Sequence, residues 1–170
     1  IIPLLSNYET ELSQNEHIYS SLKTIHYNHI TSLNDIQKKV LENEIRDFKL
    51  GGCGLEENQK KRLKQINLRL SKLSNTFSQN LLDATNAFEM IVDNFEDVKE
   101  IPQSDLALAS FEEEGKTKYK FTLQMPSYLA YITYGSNRDL REKIYKAYTT
   151  RAKNNQKIID EILRLKQERS

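Results

Sequence analysis

The chain has 170 residues, of which 38% are apolar, and its 25 Lys and Arg against 24 Asp and Glu give a net charge of +1. Proteins that bind nucleic acid usually carry a marked basic excess, so this balance argues against a nucleic-acid partner. No stretch approaches the roughly 18 consecutive apolar residues that a membrane-spanning helix requires. We therefore expect a soluble, cytoplasmic chain without a membrane partner.

Apolar spacing and the positions of Gly and Pro predict a mainly α-helical chain. Between these breaks, apolar residues recur every three or four positions, as one face of a helix requires. Asn34 and Gln37 have the spacing of a capping box, and the glycines of Gly51–Gly54 can end the helix that follows Asn34. The predicted helices cover residues 5–27, 35–50, 55–87, 104–113, 126–134, 137–152 and 155–168.

The third predicted helix is the longest, because neither Gly nor Pro occurs between Leu55 and Ile101. From residue 55 to 88 it would be roughly 50 Å long at about 1.5 Å per residue. We predict an elongated multi-helix domain around this central helix, which should pack on the helices around residues 36–48 and 140–148. Its apolar seam comprises Leu63, Ile66, Leu70, Leu73, Phe77 and Leu81.

Two short segments, Phe88–Val92 and Tyr119–Leu123, are rich in β-branched or aromatic residues and predict strands. We expect them to pair as a two-stranded antiparallel ribbon, the only sheet of the chain. Because an isolated ribbon is marginal in water, one face should pack on helices, through Phe121 and Leu123 or through their alternates.

Candidate metal ligands are few. His26 and His29 could share an ion weakly, but no carboxylate or cysteine stands at ligand spacing, so a solvated turn is the preferred interpretation. His17 follows Glu16 without a second histidine four residues on, and the zinc-peptidase signature His-Glu-x-x-His is absent. Cys53, the single cysteine, suits a tight loop, with modest reactivity as the alternative. We predict neither a catalytic residue nor a metal site in this chain.

Basic and aromatic residues leave their roles open. The basic run predicts a solvated helix face, with phosphate or peptide-carboxylate binding as the alternative, and comprises Lys60, Lys61, Arg62, Lys64, Arg69 and Lys72. Tyrosines suit a wet groove, although half-buried packing explains them better; those in the C-terminal half are Tyr119, Tyr128, Tyr131, Tyr134, Tyr145 and Tyr148. Arg151 is predicted to form an ion pair within the fold. Tyr148 and Arg151 are nevertheless the candidates for contact with a substrate.

Five blocks of the sequence resemble, in order and at compatible spacings, the thimet oligopeptidase family, specifically its bacterial oligopeptidase A branch. They are LLSNYETELSQNEHIY, IRDFKLGGCGL, LSKLSNTFSQNLLDATNAF, FTLQMPSYLAYITYGSNRDLREKIYKAYTTRA and IIDEILRLKQE. The resemblance implies a largely helical, zinc-dependent endopeptidase with a deep channel that admits short peptides. In that family, two His of His-Glu-x-x-His and a downstream Glu hold the zinc, and the Glu of the motif activates the zinc-bound water.

None of the family's catalytic or zinc-binding residues matches a position in this chain. We therefore expect a single helical domain fragment from the N-terminal side of a larger peptidase, inactive alone and forming part of the channel wall. Zinc is expected in the parent protein and not in this portion. Expected partners are short peptides and the remainder of the same polypeptide. The alternative is a non-catalytic interaction module, in which the seam of the long helix docks a partner helix.

Overall fold

The computed structural model describes residues 2–169, the side chains of Ile2 and Pro3 excepted. The chain is mainly α-helical with one small antiparallel sheet, as predicted. The helices are α1 (Ile2–Ser13), α2 (Glu16–His29), α3 (Asp35–Leu50), α4 (Glu57–Asn86), α5 (Gln103–Ala109), α6 (Met125–Tyr134), α7 (Arg138–Thr149) and α8 (Asn155–Arg169). The strands are β1 (Glu89–Val92), β2 (Ser110–Glu113) and β3 (Lys116–Thr122).

The chain forms two compact units. Unit 1 contains the residues up to Asn75 and those from Asp160 onward, and unit 2 is Thr76–Ile159. Both α4 and α8 contribute residues to each unit. The expectation that these residues form one domain of a longer protein stays a prediction.

The prediction of a first helix over residues 5–27 is wrong, because two helices, α1 and α2, occupy this segment. Asn15 separates them in an extended conformation, and its side chain accepts hydrogen bonds from the backbone N–H groups of His17 and Ile18. Those bonds satisfy donors that the first turn of α2 would otherwise leave unpaired. Neither Gly nor Pro lies between α1 and α2, and the apolar spacing continues across Asn15. The sequence pattern therefore predicted one helix where the structure has two.

Helix α3 begins and ends as predicted. The Asn34 side chain accepts from the N–H of Gln37 while the Gln37 side chain accepts from the N–H of Asn34, which is a complete capping box. Gly52 follows the helix with φ +106°, a conformation that favours glycine. Helix α3 packs on α2, where the rings of Tyr19 and Phe48 stack 6.2 Å apart.

The seam of α4 is buried at its centre, at Ile66, Leu70 and Leu73, and half-buried at Leu63, Phe77 and Leu81. Helix α3 follows α2 through a short connection and packs mainly on it. The end of α3, at Lys49 and Leu50, lines a groove together with Leu63 and Ile66 of α4. The predicted packing of the seam on the helices around residues 36–48 and 140–148 stays a prediction.

The polar contacts of α4 within unit 1 reach α1, α2 and α8. Ion pairs join Lys64 to Glu11 at 2.8 Å, Lys60 to Glu16 at 2.6 Å, Arg69 to Glu161 at 2.7 Å and Arg62 to Glu168 at 2.6 Å. These residues of the predicted basic run therefore have internal carboxylate partners.

The sheet has the order β1-β3-β2, and its strands are antiparallel. The predicted pairing of residues 88–92 with 119–123 is confirmed, with Met90 opposite Phe121. The prediction of a two-stranded ribbon and of helix over residues 104–113 is wrong, since α5 ends at Ala109 and the chain continues as β2. A tight turn at Glu114 and Gly115, both with positive φ, folds β2 onto β3.

Unit 2 has a compact apolar core beneath the sheet. The buried residues are Met90, Val92, Val98, Ile101, Leu106, Phe121, Leu123, Tyr128, Ala130, Tyr131 and Ile144. Phe121 and Leu123 thus lie on the packed face of the ribbon, as predicted, and α5 and α6 both contact β3. Across residues 2–169, no helix combines the length and the apolar character needed to cross a bilayer.

Candidate functional site

The predicted contact residues Tyr148 and Arg151 lie together in unit 2, with Tyr128 beside them. The Tyr128 and Tyr148 rings stack with centroids 4.0 Å apart and planes 15° apart. The Arg151 guanidinium carbon lies 3.6 Å from the centroid of the Tyr148 ring. The Tyr128 ring and the Arg151 guanidinium cannot both lie on one face of Tyr148 at these distances. The ring of Tyr148 therefore lies between them.

Two short helices position this stack. Pro126 stands in the first turn of α6, where its fixed φ favours the helix, and α6 carries Tyr128. Gly135 ends α6. A side chain does not fit at this position, because an added Cβ would lie 2.7 Å from the carbonyl oxygen of Tyr131. Asn137 then caps α7 by accepting from the N–H groups of Asp139 and Leu140. Helix α7 brings Tyr148 to its last turn, and Arg151 follows just beyond it.

Arg151 does not make the ion pair that the sequence predicted. Among residues 2–169, no carboxylate lies within ion-pair distance of it. Its Nη1 donates to the backbone carbonyl of Tyr148, and its Nε is buried without a hydrogen-bond partner in the described part of the chain. The guanidinium is therefore held by an aromatic face and a helix C-terminal carbonyl, with its charge uncompensated by a neighbouring anion.

Asn155, which sequence reasoning missed, anchors the connection that carries Arg151. It is 4% exposed, its Nδ2 donates to the carbonyl of Phe77 at 3.0 Å, and its Oδ1 accepts from Asn80 at 2.8 Å. The intervening Ala152 adopts φ +54°, which is strained for a residue with a Cβ. Asn at the start of a helix can be predicted to act as a cap. Its hydrogen bonds to α4 could not be predicted, because Phe77 and Asn80 are distant in sequence.

The tyrosines divide between packing and solvent. Tyr128 and Tyr131 are buried, Tyr119 and Tyr148 are half-buried, and Tyr134 and Tyr145 are exposed. Burial raises the pKa of Tyr128, with the neighbouring Tyr148 contributing in the same direction.

The histidines and the cysteine do not assemble a metal site. The described residues contain no group of three or more His, Cys, Asp or Glu side chains arranged to hold an ion. Cys53 is buried, and its Sγ lies 3.3 Å from the carbonyl oxygen of Ser13, to which it donates. Burial and the charge of Glu16 raise the pKa of the Cys53 thiol, which disfavours the reactive thiolate. That the chain binds no zinc stays a prediction.

Tyr131 supports a prediction about alkaline stability. Its hydroxyl is buried with no partner in the described residues, and burial raises its pKa to about 12 from an ordinary 10.0. Between pH 10 and 12 the unfolded chain releases this proton first, so the folded state should lose about 3 kcal/mol of stability as the pH rises. Tyr131→Phe should remove that loss and be neutral or slightly stabilising at pH 7, because it deletes an unpaired buried hydroxyl.

Urea unfolding at pH 7 to 12 measures this difference. The exposed Tyr145 provides the matched control, and Tyr145→Phe should follow the wild-type pH dependence. Equal alkaline losses in the wild type and Tyr131→Phe would contradict the prediction.

Comparison of the sequence with known proteins finds relatives in one family. Residues 1–61 match the family model described as Neurolysin/Thimet oligopeptidase, N-terminal domain. Oligopeptidase A of Haemophilus influenzae is 40% identical over 179 residues, covering 98% of this chain and 26% of that protein. Oligopeptidase A of Escherichia coli is 39% identical with the same coverage. The probable cytosolic oligopeptidase A of Arabidopsis thaliana is 33% identical over 177 residues, covering 96% of this chain and 25% of that protein.

The chain is mainly helical with a small sheet, and it aligns along nearly its whole length with several proteins named oligopeptidase A. It spans about a quarter of the length of the curated relatives that it matches. The chain belongs to the thimet oligopeptidase family and aligns with its oligopeptidase A branch, as the five sequence blocks indicated.

Proposed function

We propose that this chain is the non-catalytic, helical N-terminal-side portion of a cytoplasmic zinc metallo-oligopeptidase that hydrolyses short peptides. The observation that carries the proposal is the 40% identity with an oligopeptidase A across 98% of the chain. A short shared motif would give identity over a few residues and not across nearly the whole chain. The cytoplasmic setting is supported by a relative whose name includes "cytosolic".

The zinc of this peptidase would be bound by residues of the parent protein that lie outside this chain. Stable zinc sites need three or four correctly placed ligands. The described residues do not fit, because no three of their candidate ligands come together and the Cys53 thiol is directed at a backbone carbonyl. We assign no catalytic step to any residue of this chain.

The chain would instead contribute part of the wall of the substrate channel, with Tyr148 and Arg151 contacting the peptide. Their arrangement supports this role. Tyr128 and the guanidinium cover the two faces of the Tyr148 ring, so the half-buried ring can offer its edge and the guanidinium its charged N–H donors side by side. A peptide presents the complementary groups, namely apolar side chains, backbone carbonyls and carboxylates.

The test uses the full-length protein that carries this sequence. It should hydrolyse quenched-fluorescent short peptides, lose this activity with a chelator and regain it with added zinc. A folded protein substrate should stay intact, because a channel that admits short peptides excludes it. Absence of peptide hydrolysis, or hydrolysis that a chelator leaves unchanged, would overturn the proposal.

The isolated 170-residue chain gives a separate prediction. It should bind no stoichiometric zinc and hydrolyse no peptide, because its three histidines and single cysteine do not form a ligand set. Metal analysis of the purified chain and a peptide assay with added zinc measure both properties. Stoichiometric zinc together with chelator-sensitive turnover would contradict this prediction and move the active site into these residues.

A further inference from the structure

We infer that Arg151 is the binding point for the terminal carboxylate of the peptide substrate and that Tyr148 holds the guanidinium ready for it. This inference rests on the proposed function, since it names the substrate group that the Tyr148–Arg151 site takes.

Arg151 has no counter-charge beside it among residues 2–169. Arg62 and Arg69 of unit 1 each make a two-point ion pair with a glutamate, through Nε and Nη2. Arg151 makes no such pair within residues 2–169, although it is half-buried and its Nε has lost contact with water. Removing a cation from water without an anion beside it is unfavourable. A carboxylate arriving with a ligand would correct this imbalance.

The guanidinium of Arg151 is already positioned before a ligand binds. Tyr148 is itself fixed by stacking on Tyr128, and Asn155 anchors the connection after α7 through Phe77 and Asn80. A planar guanidinium held in one orientation matches the two oxygens of a carboxylate. Less conformational freedom is then lost on binding, which favours affinity.

The carboxylate that binds Arg151 is that of the peptide terminus. Glu142, the acidic residue in the middle of α7, is engaged by Lys146 and is not the partner of Arg151. The exposed Lys153 and Lys157 follow Arg151 in sequence and add positive charge to this segment. Every short peptide carries one free α-carboxylate, whereas acidic side chains occur only in some. A site serving many short peptides would therefore use the terminal carboxylate.

The experiment measures binding of labelled peptides to the full-length protein, so that it does not depend on turnover. One peptide is made as the free acid, as the C-terminal amide, and as an amide with an internal Asp. The wild type should bind the free acid about tenfold or more tighter than either amide, the range of a charged hydrogen bond. Arg151→Gln should abolish this preference, and Arg151→Lys should retain part of it. Lys153→Gln, which removes an exposed neighbouring charge, should keep the preference in full.

The competing role of Arg151 is purely structural, as a cap on the last carbonyls of α7. In that case Arg151→Gln would lower the free energy of unfolding while leaving the ratio of acid to amide affinity unchanged, which would overturn the inference. Equal wild-type affinity for acid and amide, or Arg151-dependent binding of the Asp-containing amide as tight as that of the acid, would also overturn it. Binding preference without any hydrolysis would support the site and contradict only the proposed peptidase activity.

Discussion

Phe121→Ala should lower the free energy of unfolding by about 3–5 kcal/mol, the usual range for truncating a fully buried phenylalanine. Phe121 is 1% exposed, lies opposite Met90 across the β1–β3 pair, and its ring centroid is 4.7 Å from that of Tyr131. Truncation would leave a cavity between the sheet and α6, because a backbone held by strand pairing cannot move inward to fill it. Urea unfolding followed by far-UV circular dichroism measures the loss.

The matched control is Ile91→Ala, one residue from Met90 on β1 but directed to the other face and 50% exposed. It should cost less than about 1 kcal/mol, as exposed substitutions usually do. If both variants lost the same free energy, the ribbon would not be packed on one face, and the predicted role of Phe121 would be wrong.

Features of the fold that local chemistry determines could be predicted from the sequence. The bounds of α3 agree with the prediction because Asn34 and Gln37 satisfy the first backbone donors and the glycines after Leu50 end the helix. The β1–β3 pairing was predictable because β-branched and aromatic residues replace the helical period at Phe88. In both cases the signal lies within a few residues of the structure that it specifies.

Features that depend on distant partners could not be predicted. Ser110–Glu113 forms a strand because it pairs with β3, and its own residues also suit the end of a helix. Asn15 divides α1 from α2, yet the same residue could occupy a helix interior.

The candidate site shows the same limit. Tyr148 and Arg151 have a spacing that brings them together at the end of a helix, whereas Tyr128 and Asn155 reach the site only through the packing of unit 2. The sequence therefore identified the two contact candidates but neither of the groups that position them.

Leu70→Ala should lower the free energy of unfolding by about 2–5 kcal/mol, since it removes the central side chain of the α4 seam. Leu70 is 9% exposed and lies between Ile66 and Leu73, one turn away on either side. It also lines an open cleft beside Ser6 and Thr10, into which water can enter after truncation. We therefore expect a value near the lower end, and a larger loss for Leu73→Ala, which is 5% exposed.

The control on the same helix is Leu82→Ala, at a position that is 50% exposed, and it should cost less than about 1 kcal/mol. This series also separates core packing from the interaction-module alternative. If the seam docked a partner helix, Leu70→Ala would reduce the solution mass of an oligomer and leave the stability of the monomer nearly unchanged. Because Ile66, Leu70 and Leu73 are already buried in the folded chain, we expect the opposite result, with unchanged mass and reduced stability.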